Sequence, residues 1–157
     1  MAEQFNPLLK LDFELKNSIK FLAEVKQDRT LNLSFDNNLL TEVKGNNYTL
    51  GLGYRIKDVK FNSSLAPRGV VKSDVNIKAD LTLRKNFTVV RNLIFDSNEV
   101  GGGQNRWSIN LTADYNFTRN FTAIFFYDHE FSKPVISTAF PITNIRSGIR
   151  LRYTFGN

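Results

Sequence analysis

The chain has 157 residues, with 21 Lys+Arg against 15 Asp+Glu for a net charge of +6, one His and no Cys. That length suits a single structural unit, 1–157, and an aromatic content of 13% argues against disorder. The absence of cysteine removes disulfides, thiol nucleophiles and thiolate zinc sites, and apolar runs of only a few residues exclude a membrane-spanning helix but not alternating strands that cross a membrane. The basic residues stand singly (Lys10, Lys26, Lys57, Arg106), with no dense block and no basic helix. A scattered excess of this kind reads as a solvated face, so no nucleic-acid partner is expected.

From the N-terminus onward the dominant period is two. Leu9, Leu11, Phe13 and Leu15 interleave with Lys10, Asp12, Glu14 and Lys16. Ile19, Phe21, Ala23 and Val25 continue the pattern, with Leu22 as an exception, and Leu31, Leu33 and Phe35 resume it after a polar stretch. Val75, Ile77, Ala79, Leu81 and Leu83 oppose Asn76, Lys78, Asp80, Thr82 and Arg84. Next, Trp107, Ile109, Leu111, Ala113, Tyr115 and Phe117 alternate with Ser108, Asn110, Thr112, Asp114 and Asn116. Phe121, Ala123, Phe125, Tyr127 and Phe131 form another such run, and Ile145 to Phe155 the last, opposed by Arg146, Gly148, Arg150, Arg152 and Thr154. No stretch has a 3.6-residue apolar period. The fold class is therefore all-β, a meander of amphipathic antiparallel strands. Strands of about eleven residues with aromatics near both ends suit a transmembrane barrel with its interfacial girdles.

Long connections are expected at 36–47, 62–73, 96–105 and 132–143, and short ones at 16–18, 118–120 and possibly 85–86. A turn at Lys85-Asn86 would give eight strands. Continuation of 75–84 through Phe87, Val89, Leu93 and Phe95 would give seven, an odd number that cannot close a typical bacterial barrel.

The motifs that suggest chemistry have bland readings. Gly51-Leu52-Gly53-Tyr54 begins a dinucleotide fingerprint, but Ile56 stands where its third glycine would fall. Asp128-His129-Glu130 puts two carboxylates on one strand face and the only histidine on the other, so the three cannot close on one metal. Gly101-Gly102-Gly103 reads as a loop tip rather than a phosphate cradle. Triplets such as Asn110-Leu111-Thr112 are by-products of alternating polar faces. No catalytic, cofactor-binding or metal site is expected, and no enzyme. Met1-Ala2-Glu3-Gln4 has neither a basic nor an apolar signal region, so the chain reads as a mature product or part of a longer polypeptide.

Four stretches taken together carry a resemblance. They are Arg29-Thr30-Leu31-Asn32-Leu33-Ser34-Phe35; Leu40-Thr41-Glu42-Val43 with Gly51-Leu52-Gly53-Tyr54-Arg55-Ile56-Lys57-Asp58-Val59; Asp74-Val75-Asn76-Ile77-Lys78-Ala79-Asp80; and Leu111-Thr112-Ala113-Asp114-Tyr115 leading to Phe125-Phe126-Tyr127-Asp128 and Ser137-Thr138-Ala139-Phe140-Pro141. In order and spacing the set resembles the C-terminal end of the SprA/Sov family, the gliding-motility-associated outer-membrane translocons of the Bacteroidetes type IX secretion system. The resemblance runs from about Phe5 to Asn157. It implies the closing portion of a very large barrel that passes secreted protein cargo through the bacterial outer membrane. It also implies partners: the remaining barrel strands on the same or another polypeptide, a PorV-type shuttle barrel, a periplasmic plug protein and outer-membrane lipid.

Under this reading Lys78, Asp80, Arg84, Asp114, Arg146, Arg150 and Arg152 line the lumen, hydrating it without chemistry. Ile109, Leu111, Tyr115, Ala123, Phe125, Ile149 and Leu151 face lipid. The C-terminal strand resembles the outer-membrane assembly signal, with Leu151, Tyr153 and Phe155 as its apolar positions, although the aromatic is not the last residue. Two alternatives stand beside it: a complete eight-stranded outer-membrane barrel with a packed interior, and a soluble barrel holding an apolar ligand.

Overall fold

The computed structural model describes residues 1–16, 18–62, 70–118, 120–136 and 139–155. Seven strands form a single antiparallel sheet in sequence order: β1 (Ala2–Glu14), β2 (Ile19–Ser34), β3 (Leu39–Asn62), β4 (Val70–Asn92), β5 (Ser97–Asn116), β6 (Phe121–Pro134) and β7 (Ile142–Tyr153). No described residue is helical. The expected all-β meander is the fold.

The strand count is seven because β4 runs without a break through Lys85 and Asn86, which pair with Asn46 and Gly45 on one side and Asn105 and Gln104 on the other. The eight-strand alternative fails at this point. The short turns expected at 16–18 and 118–120 are present, apart from Asn17 and Arg119, which lie outside the described residues. Two of the expected long connections are not loops. The β2–β3 and β4–β5 turns occupy only 35–38 and 93–96, and residues 39–47 and 97–105 are laddered strand. Asn38 and Asp96 supply the left-handed backbone these turns need, with φ of 51° and 46°. Of the expected 62–73 connection, Asn62 and Val70–Ser73 belong to strands and 63–69 lie outside the described residues. The 132–143 connection shrinks to 135–141, of which Ser137 and Thr138 lie outside the described residues.

Pairing registers carry the odd phase of one strand onto a fixed phase of the next, so the sheet has one apolar and one polar face. Row by row, the apolar face reads Leu9–Val25–Tyr48–Leu83–Trp107–Phe131, then Leu11–Ala23–Leu50–Leu81–Ile109–His129–Ile145, then Phe13–Phe21–Leu52–Ala79–Leu111–Tyr127–Ser147. Ile19–Tyr54–Ile77–Ala113–Phe125–Ile149 and Ile56–Val75–Tyr115–Ala123–Leu151 follow. A bulge between Phe5 and Leu9 shifts the β1–β2 register by two residues and so leaves the phase intact.

Among the described residues the sheet has no second layer: no hydrophobic side chain is buried, and Leu52, at the middle of the apolar face, is 55% exposed. Exposure alternates along β3: Tyr48, Leu50, Leu52 and Tyr54 are exposed, while Asn47, Thr49 and Gly53 are half-buried and Gly51 is buried. Leu81, Leu83 and Lys85 against Thr82 and Arg84 repeat this on β4. The sheltered side is thus the polar one, as in a sheet that curves around its polar face. Grooves of about 480 Å³ (Ser108, Asn110, Asp128, Glu130, Asn144, Arg146 among its walls) and about 250 Å³ (Asn47, Thr82, Arg84, Arg106, Ser108, Glu130) lie on that side.

The two edges are open. β1 ladders only with β2, and β7 only with β6. With seven strands alternating in direction, β1 and β7 run the same way, so pairing them with each other would make a parallel contact in an otherwise antiparallel sheet.

Candidate functional site: two faces and a charged rim

All seven residues expected to line a lumen fall on the polar face: Lys78, Asp80 and Arg84 on β4, Asp114 on β5, and Arg146, Arg150 and Arg152 on β7; Asp80, Arg84 and Asp114 are half-buried and the other four exposed. Adjacent strands bring two of them, Asp114 and Arg146, into hydrogen-bonded chains. Arg55 Nε donates to Asn76 Oδ1 at 2.8 Å, and Asn76 Nδ2 donates to Asp114 Oδ2 at 2.8 Å, linking β3, β4 and β5. Asn110 Nδ2 donates to Asp128 Oδ1 at 2.9 Å, and Arg146 Nη2 reaches Asp128 Oδ2 at 3.2 Å, linking β5, β6 and β7. Arg150 lies over the Phe126 ring at 5.4 Å, and the ring in turn occupies the space left free by Gly148. No described side-chain N or O atom is both buried and unpaired. The arrangement is a polar face of mixed charge. Among the described residues no group of three or more potential ligands is placed to hold a metal.

All seven residues expected to face lipid share the opposite, apolar face: Ile109, Leu111 and Tyr115 on β5, Ala123 and Phe125 on β6, Ile149 and Leu151 on β7; Leu111, Phe125, Ile149 and Leu151 are exposed and the other three half-buried. Aromatics mark both ends of this belt. Trp107 lies 5.8 Å from Phe131 and 4.8 Å from His129 at one end. Tyr115, Phe117 and Phe121 stack in sequence at the other, at 5.0 and 5.6 Å. Tyr153 closes β7 there. Phe155 lies beyond the strand, 90% exposed, with its ring 4.8 Å from that of Tyr153. The expected last strand Ile145–Phe155 therefore begins earlier, at Ile142, and ends two residues sooner, at Tyr153; Gly156 and Asn157 lie outside the described residues.

One feature escapes the sequence reading. Beyond the row ending in Trp107 and Phe131, the same face turns polar within one step on β2–β6, Gln27–Asn46–Lys85–Asn105–Lys133, while Phe5 on β1 stays apolar. Above it Glu42, 1% exposed, accepts from Arg29 Nε at 2.6 Å and Arg91 Nη2 at 2.7 Å, with Lys44 Nζ at 3.1 Å. Arg29 also approaches Glu3 at 3.8 Å. Glu42 is hidden by the cations that surround it rather than by a core. Burial pushes its carboxyl up, but the hydrogen bonds from Lys44 and Arg29 and the charges of both outweigh that and hold it below the ordinary carboxylate value. Its four strand positions are scattered over 63 residues of sequence, from Arg29 to Arg91, and only the ladder brings them together.

No protein-family profile matches the chain, and no curated protein is detectably similar to it in sequence.

Proposed function

We propose that the chain is a wall segment of an outer-membrane β-barrel of the protein-conducting, type IX secretion kind its sequence resembles, serving protein secretion and gliding motility. The observation that carries the membrane part is the belt: five rows, apolar except at His129 and Ser147, on one face of a sheet in which no described hydrophobic side chain is buried, followed by a polar row. An apolar face this large on a single layer needs a cover, and lipid is the cover that accepts the outward face of a curved sheet one layer thick. From Trp107 to Tyr115 the belt runs about 27 Å along a strand, and about 34 Å with the Phe117 row. At the tilt usual in membrane barrels these become roughly 21 and 26 Å of height, close to the ~25 Å apolar band such barrels present.

The open edges support the large wall. Unpaired backbone groups at a strand edge cost several kcal/mol each in hydrocarbon. Because β1 and β7 run the same way, an all-antiparallel wall is completed by an odd number of further strands, and copies of this chain alone cannot complete it. The remaining strands of a larger translocon fit that requirement. A PorV-type shuttle barrel, a plug protein and secreted cargo are the further partners the resemblance suggests. A soluble ligand-binding barrel would place its apolar face on the sheltered side, whereas here that side is polar.

Photo-crosslinkers at Leu11 on β1 and Ile149 on β7, introduced in native membranes, test the proposal. The expected products join each edge to another polypeptide or to strands outside this segment, within an assembly far heavier than this chain. A β1-to-β7 product within one chain, at the mass of a single small barrel, would overturn it.

A further inference from the structure

The polar row next to the belt is more than a boundary. Lys85 and Lys133 are both exposed, stand in register on strands two apart, and have Asn105 between them. Strand spacing puts the two backbones about 10 Å apart, a gap that two lysine side chains can close on a shared anion with the Asn105 amide as a third donor. Neither lysine enters an ion pair among the described residues. Behind them Arg29, Lys44 and Arg91 are gathered on Glu42, so the strands of this face carry five cations against Glu3 and Glu42 above the belt. At β5–β7 the opposite rim is aromatic instead, with Tyr115, Phe117 and Phe121 in contact.

We infer that Lys85 and Lys133, with Asn105, bind the phosphate of an anionic phospholipid headgroup whose acyl chains lie on the adjoining apolar rows. This rests on the membrane reading above, because the lipid is recognised by two surfaces in continuity: rows that accept its tails and, one step beyond, donors that accept its phosphate. A basic patch set back from the belt would meet only soluble anions. This one begins two residues from Trp107 and from Phe131 on the same strands.

Trp107, the only tryptophan of the chain, reports on the site from the neighbouring row. The native assembly is reconstituted in phosphatidylcholine bilayers containing chain-brominated phosphatidylcholine or chain-brominated phosphatidylglycerol at equal fraction. The Trp107 contribution is isolated by subtracting the signal of Trp107→Phe. Stronger quenching by the anionic lipid is expected, corresponding to a preference of about fivefold for each lysine, falling to parity in Lys85→Gln/Lys133→Gln. Quenching by brominated phosphatidylcholine shows that the double variant is still inserted. Equal quenching of the unmodified protein by both lipids would overturn the headgroup site and leave the belt standing. A preference that persists in the double variant would overturn its assignment to these lysines. No quenching by either lipid would overturn the belt and the headgroup site together.

Discussion

Leu111 lies in the third of the five apolar rows, two rows from Trp107 and two from Tyr115, with Ala79 and Tyr127 beside it. Four residues to either boundary is about 14 Å along the strand, or roughly 10 Å in depth at the usual tilt, which places it near the middle of the belt. Leu111→Arg puts a guanidinium there, at a cost of about 2–4 kcal/mol. At 1.36 kcal/mol per tenfold that is roughly 30- to 900-fold in the ratio of inserted to unfolded protein. The adjacent residue gives the control. Asn110 points to the polar face, in register with Asp80 on β4 and Asp128 on β6. Asn110→Arg therefore places the same charge between two carboxylates, and a change within about 0.5 kcal/mol is expected even though the Asn110–Asp128 hydrogen bond is replaced. Urea titration of the assembly in bilayers, followed by protease resistance, measures both variants. Equal loss in the two, or greater loss in Asn110→Arg, would refute the assignment of faces.

Three further outcomes follow from local geometry. Gly103 has φ of +144° and a side chain there would meet Phe87 Cα at 2.7 Å, so Gly103→Ala should cost about 1–3 kcal/mol in the same titration; a neutral result would show that the β4–β5 ladder gives way easily at this bulge-side position. Because the Glu42 carboxyl is held below its ordinary value in the folded protein, its contribution is present above the ordinary carboxylate value and lost as pH falls through the depressed one. Hydrogen exchange at Leu39–Lys44 should therefore stay slow through the ordinary carboxylate range and accelerate only at lower pH, and Glu42→Gln should give fast exchange at every pH; an unchanged acid profile in that variant would contradict the cluster's role. Deleting Tyr153–Asn157 removes the Tyr153–Phe121 pair and the 2.8 Å bond from the Thr154 amide to the Asn120 carbonyl, and should leave the protein degraded or in the periplasm; normal outer-membrane levels would refute an assembly role for this end.

The fold was legible wherever one face of a strand needed to be apolar. Period two from Trp107 to Phe117 and from Ile145 to Tyr153 places each residue on the face the ladder confirms, because a one-residue slip would have inverted every side chain. The extensions beyond the belt carry no such signal, so the sequence predicts long loops there. Residues 39–47 and 97–105 have polar residues in both phases, yet backbone hydrogen bonding continues through them. The Glu42 cluster was illegible because it depends on register: Arg29, Glu42, Lys44 and Arg91 share a face only once β2, β3 and β4 are aligned. The composition offered one signal, four charged residues in the otherwise apolar phase of their strands, and it acquires meaning only with the pairing in hand.

If one face of this sheet meets lipid and the other water, labelling along β5 will alternate with its side chains. The chain has no native cysteine, so single cysteines at each position from Trp107 to Tyr115 can be labelled in intact membranes without background from this chain. Cysteines at 108, 110, 112 and 114 should react with a membrane-impermeant, water-soluble maleimide once both sides are accessible. Those at 109, 111 and 113 should react only with a bilayer-dissolved reagent. Uniform labelling by the water-soluble reagent at all nine positions, or the inverse alternation, would contradict the account.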